Sequence, residues 1–161
     1  MYWGILSDSH GNHPSTERAA DVLSQYEIHL VLHCGDIGTP SVLDVFRKWK
    51  LHYVLGNIDI DPESFHYSDA ESHVIGYEDF GVFEYAGRSV AMMHGNNKNR
   101  LMAAEQSGKY DLICYGHTHR AEWHQTGKTL VVNPGALFRS KPRTLALYHA
   151  GKHRVDIVPL M

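Results

Sequence analysis

Five times along this chain a short apolar run ends on glycine set beside aspartate, asparagine or histidine. Residues 2–6 give way to Ser7-Asp8-Ser9-His10-Gly11, and residues 29–33 to Cys34-Gly35-Asp36. Residues 51–55 run into Gly56-Asn57, the run ending at Met93 into His94-Gly95, and residues 111–115 into Gly116-His117-Thr118-His119. Such short, nearly continuous apolar runs read as strands buried on both faces, and the polar glycine-bearing stops read as the loops that end them. Helical stretches separate the first three runs. Residues 12–26 put Ala19, Ala20, Val22, Leu23 and Tyr26 on one face, with Pro14 tolerated in the first turn, and residues 40–48 turn Val42, Leu43, Val45 and Phe46 inward. Strand, helix, strand, helix, strand is the rhythm of parallel βαβ units. Ligands of such sheets gather at the carboxyl ends of the strands, where these polar loops fall.

The rest of the chain reads as more β structure with one further helix. Residues 60–72 form a polar, turn-rich loop, and residues 73–93 alternate as an antiparallel meander broken at Glu78-Asp79 and Ala86-Gly87. A helix follows over 97–107, then strands at 111–115, 122–125, 129–133, 144–149 and 154–158, with Gly127 and Gly151 in turns. Together these segments predict an α/β chain of two sheets packed face to face with helices outside. No internal repeat or linker interrupts it, and 161 residues suit one domain spanning 1–161.

Composition narrows the function classes. A net charge of −3 gives no general pull toward nucleic acid or anionic lipid. No apolar stretch approaches the roughly 20 residues a bilayer requires, and Asp8 and His10 stand too early for a secretory signal. Cys34 and Cys114 both follow apolar runs, as buried thiols of a reducing cytoplasm do. Histidine is the outlier, at thirteen residues. Nine of these, His13, His29, His33, His52, His66, His73, His124, His149 and His153, read as surface or hydrogen-bonding residues, with His33 near enough to Asp36 to support it.

The other four belong to the strand-end motifs. Asp8, His10, Asp36, Asn57, His94, His117 and His119 offer carboxylate, amide and imidazole donors, which suit first-row divalent ions, while the adjoining glycines let backbones converge. In an extended segment residues two apart point the same way, so Asp8 pairs with His10 and His117 with His119. Seven ligands exceed one tetrahedral ion and are enough for two ions sharing a carboxylate. Singly, each residue is an ordinary cap or turn former; together in this order they point to a metal centre.

Asp-x-His, Gly-Asp, Gly-Asn, His-Gly and Gly-His-Thr-His, in that order and followed by Asn133-Pro134-Gly135, resemble the calcineurin-like metallophosphoesterases. Within that superfamily the chain is most similar to the small single-domain bacterial and archaeal phosphodiesterases, the YfcE-like or MJ0936-like group. The resemblance implies a four-layer αββα sandwich of two mixed sheets flanked by helices. It implies one metal held by Asp8, His10, Asp36 and His119 and a second by Asp36, Asn57, His94 and His117, with Asp36 bridging. Mn²⁺ stands foremost, with Fe, Zn, Ni, Co or Mg compatible. The activity implied is hydrolysis of small or nucleotide-like phosphodiesters by attack of a hydroxide bridging the two metals, with Asp36, Asn57 and His94 acting through them. Asp59 is a turn former that would stand behind the catalytic groups, and Asn12 and Asn96 would contact the substrate phosphate. No membrane partner is expected, and a homo-oligomer is compatible.

One position departs from the family. Many members read Gly-Asn-His-Asp where this chain reads Gly-Asn-Ile-Asp, so Ile58 cannot protonate a leaving group. That favours a diester with an acidic leaving group over a simple monoester, unless His13 substitutes as the acid. A non-catalytic scaffold of this fold would lose ligands, and none of the seven is missing. A monoesterase is the second alternative. The third, a nuclease, would need a capping domain or a basic groove, and the sequence shows neither.

Overall fold

A computed structural model describes residues 1–65 and 73–161. Eleven strands form two sheets among these residues. The first sheet takes β1 (Tyr2–Leu6), β2 (Ile28–His33), β3 (Lys50–Tyr53), β4 (Val74–Gly76), β10 (Arg143–His149) and β11 (Arg154–Leu160), in the order β11-β10-β1-β2-β3-β4. The second takes β5 (Phe80–Tyr85), β6 (Arg88–Met93), β7 (Leu112–Cys114), β8 (Ala121–Thr126) and β9 (Thr129–Pro134), in the order β5-β6-β7-β9-β8. Strands β1 to β4 pair in parallel, as do β6, β7 and β9, while β10, β11, β5 and β8 pair antiparallel at the flanks.

Alternation along the strands builds the layers. Trp3 and Ile5 of β1 and Leu30 and Leu32 of β2 face Val90, Met92, Leu112, Leu130 and Val132 across the space between the sheets. On the outer side of the first sheet, Leu6 and Val31 meet Ala19, Ala20 and Leu23 of α1 (His13–Leu23) and Val42 and Leu43 of α2 (Ser41–Asp44). On the outer side of the second, Ala91, Met93, Ile113 and Val131 meet Ala104 and Leu101 of α3 (Lys98–Ser107). The result is the four-layer αββα sandwich with two mixed sheets. Gly4 admits α1 closely, because a Cβ there would lie 2.6 Å from Leu23 Cδ2.

Three expectations change. The helix after β2 keeps regular α geometry only over Ser41–Asp44. It then tightens into i→i+3 bonds, Phe46 N–H to Leu43 O at 3.0 Å and Trp49 N–H to Phe46 O at 3.0 Å, which still bury Phe46. Residues 73–93 are not one meander: Val74–Gly76 extends the first sheet parallel to β3, and only β5 and β6 form an antiparallel hairpin, in the second sheet. The expected loop 60–72 contains a 3-10 turn, Pro62–Phe65, while residues 66–72, including His66, lie outside the described residues. No helix among the described residues is long and apolar enough to cross a membrane.

Candidate metal centre

The carboxyl ends of β1, β2 and β3 and those of β6 and β7 converge at one end of the sandwich, and their loops are laced by backbone bonds. Asp8 N–H donates to Gly35 O at 3.0 Å, His10 N–H to Asp36 O at 2.9 Å and Gly116 N–H to His94 O at 2.8 Å. Such close passage requires glycine at two points: a Cβ on Gly56 would lie 2.1 Å from Asp36 Oδ1, and one on Gly116 would lie 2.0 Å from Ser7 Oγ.

All seven expected ligand positions meet here, though not through extended backbone. Asp8 (φ 55°), His10 (47°), Asp36 (52°), His117 (72°) and His119 (59°) all occupy the left-handed region. Each such residue costs on the order of 1–2 kcal/mol and persists only where its surroundings over-determine it. The pairing of Asp8 with His10 survives in space, but the turn directs the two side chains rather than strand periodicity. His117 and His119 diverge to different groups.

Two trios result. Asp8, His10 and His119 form one, and Asp36, His94 and His117 the other, the potential ligand atoms of each lying within 4.8 Å of one another. Asp36 Oδ2 lies between them, 3.2 Å from His94 Nε2 and 3.5 Å from His10 Nε2. Asn57 joins the second trio, with Oδ1 3.2 Å from His117 Nδ1.

Both aspartates are held in the same way. Asp8 Oδ2 accepts from Ser7 Oγ at 2.6 Å and His117 N–H at 3.1 Å, which turns Oδ1 toward His119 Nε2 at 3.2 Å and His10 Nε2 at 3.7 Å. Asp36 Oδ1 accepts from Ile58 N–H at 3.1 Å, which leaves Oδ2 for the imidazoles. His94 donates from Nδ1 to Cys34 O at 2.9 Å, so Nε2 faces the cluster as a lone pair whenever the ring is neutral.

These donor atoms fit divalent cations. Asp8 Oδ1 and His10 Nε2 are buried without a hydrogen-bond partner, an arrangement that is costly unless a ligand satisfies it. His117 Nδ1 and His94 Nε2 face each other at 3.3 Å, two atoms that can share a cation as readily as a proton. In the protein alone, burial opposes ionisation of both His94 and Asp36. Their mutual hydrogen bond and charge outweigh it, raising His94 above its ordinary value and holding Asp36 below its own.

Neighbouring residues support the loops. His33 Nδ1 accepts from Gly35 N–H at 3.2 Å, so Nε2–H donates to Ser9 Oγ at 2.8 Å, and Ser9 Oγ donates to Ile37 O at 3.1 Å. Burial, with the charge of His94, pushes His33 down to about 3, so this link between the first two loops is neutral. Asn133, fully buried, donates to Gly116 O at 3.1 Å and Thr118 Oγ1 at 3.0 Å, bracing the loop that carries His117 and His119.

Asp59 stands behind the ligand cluster: Oδ2 accepts from Gly56 N–H at 2.8 Å and Ile37 N–H at 3.1 Å, and Oδ1 from Gly38 N–H at 3.0 Å. It clamps the third loop to the second. Asn12 caps α1, with Oδ1 accepting from Ser15 N–H at 3.0 Å and Ser15 Oγ at 2.7 Å. His13 bonds Ser41 Oγ at 2.9 Å, tying α1 to α2. Asn96 does lie beside the cluster, in a cleft of about 200 Å³ walled by Asn57, His94, Asn97 and Arg100. Sequence reasoning missed Arg100 and Phe138, whose ring lies 5.4 Å from that of His10. Neither carries a local signal, since each reaches the site only through the packing of distant segments.

Residues 1–153 match the family model of the calcineurin-like phosphoesterase superfamily domain. Phosphodiesterase MJ0936 of Methanocaldococcus jannaschii is 29% identical over 140 residues, covering 84% of this chain and 83% of that protein. A solved archaeal phosphodiesterase structure superposes with a TM-score of 0.91 over 99% of this chain and 100% of that one, at 26% identity. The phosphoesterase YfcE of E. coli aligns with a TM-score of 0.66, each chain wholly covered, at 18% identity, which shows the shared fold alone.

Proposed function

The chain belongs to the calcineurin-like phosphoesterase superfamily, and on that footing we propose that it is a metal-dependent phosphodiesterase acting on small or nucleotide-like diesters. The observation that carries the reading is the position of Asp36 Oδ2, within 3.5 Å of an imidazole nitrogen from each trio. Asp8, His10, Asp36 and His119 would hold one divalent cation and Asp36, Asn57, His94 and His117 the other; such nitrogen and oxygen donors suit Mn, Fe, Zn, Ni or Co, and the family resemblance puts Mn²⁺ foremost. A bound pair supplies Lewis acidity toward phosphoryl oxygens and a water acidic enough to ionise near neutrality.

The chain's own residues supply orientation. Ser7 Oγ and the His117 N–H fix Asp8, the Ile58 N–H fixes Asp36, and Cys34 O fixes the His94 ring, so the donors stand ready before ligand arrives. Ile58, about 40% exposed, presents hydrocarbon where many relatives carry an imidazole and can neither hold nor deliver a proton. A leaving alcohol must then depart as its own anion or take a proton from water, which favours diesters with acidic alcohols over alkyl monoesters. The buried free thiols of Cys34 and Cys114 accord with a cytoplasmic protein.

The test is a panel of aryl diesters, aryl monoesters and nucleotides offered to metal-depleted protein with single metals restored. Diester hydrolysis restored by Mn²⁺ and abolished in Asp36→Asn and His94→Ala is expected. Activity surviving both substitutions, or faster turnover of monoesters than of diesters, would count against the proposal.

A further inference from the structure

The net charge of −3 conceals a local concentration of positive charge beside the metal centre. Next to His119 opens a surface groove of about 370 Å³, walled by His119, Arg120, Ser140 and Lys141. It continues past Lys141 and Pro142 into a second depression of about 290 Å³ that reaches Arg143. Arg139, one residue before this wall, lies with its guanidinium 5.0 Å from the ring of Phe138, which in turn packs on His10. Arg120, Arg139, Lys141 and Arg143 are all exposed, and among the described residues none has a carboxylate within ion-pair distance. The other arginines near an acid are paired: Arg100 with Asp79 at 2.9 Å, Arg154 with Asp156 at 3.4 Å and Arg47 with Asp44 at 3.5 Å.

Arg139 also occupies the left-handed region, at φ 52°, an uncommon conformation for a residue with a long side chain. The loop is anchored on the site itself, because Ser140 Oγ donates to His119 O at 3.3 Å. Cations left unpaired in a row, on a loop tied to a candidate metal ligand, match a ligand that carries several negative charges.

We propose that the groove running from His119 past Lys141 to Arg143 binds a second phosphate of the substrate, so that the enzyme prefers a diester bearing a further phosphate next to the scissile one. The inference rests on the phosphodiesterase reading for its substrate and extends it in class, to 5′-phosphate esters of nucleoside bisphosphates and to short oligonucleotides. The chemistry is that of Arg and Lys neutralising phosphate, with Arg able to offer two parallel N–H donors. The separate cleft beside His94 and Asn57 is left for the other ester arm.

The test compares two chromogenic substrates that differ only in the second phosphate: the p-nitrophenyl ester of thymidine 5′-phosphate with and without a 3′-phosphate. With Mn²⁺ restored, kcat/KM is expected to be at least tenfold higher for the 3′-phosphorylated ester at low salt. That preference should collapse toward unity in a Lys141→Gln/Arg143→Gln variant and in high salt, and persist in Lys152→Gln, a cation on the β10–β11 turn. A parallel measurement needs no activity. Fluorescent oligothymidylate binding to metal-depleted protein should weaken in the double variant, and its log–log salt slope should fall by about 0.7 for each charge removed. Affinity rising from two to six nucleotides would assign the groove to a phosphodiester chain, and affinity equal to that of thymidine bisphosphate would assign it to a mononucleotide; both support the proposal. Equal kcat/KM for the two esters, together with unchanged oligothymidylate binding in the variant, overturns it. Absence of any diester hydrolysis with retained, charge-dependent binding instead refutes the phosphodiesterase reading and leaves the groove standing.

Discussion

Asp59→Ala isolates the function of the third loop. The substitution removes an acceptor for three backbone N–H groups, those of Gly56 at 2.8 Å, Gly38 at 3.0 Å and Ile37 at 3.1 Å, around a carboxylate only 6% exposed. Hydrogen bonds to a charged group contribute about 1.5–3 kcal/mol each, and donors left buried and unpaired add to the loss. Because the three share one carboxylate they do not add independently, so a destabilisation of about 3–6 kcal/mol is expected. At roughly 2–4 °C per kcal/mol for a chain of this size, the melting temperature should fall by about 6–24 °C. Asp59→Asn keeps an acceptor for one side of the clamp and should fall between wild type and alanine. Both variants should bind metal more weakly, because Ile37 and Gly56 flank Asp36 and Asn57, and added metal should recover much of the activity of Asp59→Asn. The assays are calorimetry of the metal-depleted protein, metal titration, and diester hydrolysis at saturating metal. An Asp59→Asn protein with wild-type melting temperature and metal affinity but a thousandfold lower kcat would refute the clamp and return Asp59 to the chemistry.

Four further outcomes are expected. Asn133→Ala deletes the donors to Gly116 O and Thr118 Oγ1, so metal affinity measured by titration should fall about 10–100-fold while kcat at saturating metal changes little. Gly56→Ala would set a methyl 2.1 Å from Asp36 Oδ1, and calorimetric titration should show cation binding at the shared position severely weakened. Phe46→Ala empties a fully buried ring between α2 and the first sheet and should cost about 3–5 kcal/mol in urea unfolding. Burial, with the charge of Lys50, depresses His52 to about 4 in the fold against the ordinary 6.5 of an unfolded chain, so between these values the unfolded chain binds more protons. Its contribution is therefore complete above about pH 6.5 and lost as pH falls to about 4, on the order of 3 kcal/mol in all. His52→Phe should flatten that part of the stability profile in metal-depleted protein, and an unchanged slope would remove His52 as the cause.

The candidate ligands were legible because each loop states its own content. Apolar runs locate the strand ends, and a strand end in a parallel sheet is where ligands gather. The division of His117 and His119 between two groups was implied only by the family resemblance, and the two trios place them apart in the same way. The backbone partners of Asn12 and Asp59 were not legible for a common reason: a polar side chain beside glycine looks the same whatever it bonds. Only the folded structure shows Asn12 accepting from Ser15 and Asp59 from Ile37, Gly38 and Gly56. The placement of β4 was hidden for a different reason, since three residues, Val74–Gly76, carry too little periodicity to say which sheet they join.

The layer pattern, the strand-end loops and the seven candidate donor types can be read from the sequence, because these depend on spacing a few residues apart. The tertiary structure alone decided how the donors are aimed, through left-handed turns at Asp8, His10, Asp36, His117 and His119 that no extended-strand argument would place. It also decided where charge accumulates. A net charge is a sum over the whole chain, whereas a substrate meets the local field, and folding brings Arg120 beside Lys141, with Arg143 next along the groove, at the edge of the candidate metal centre.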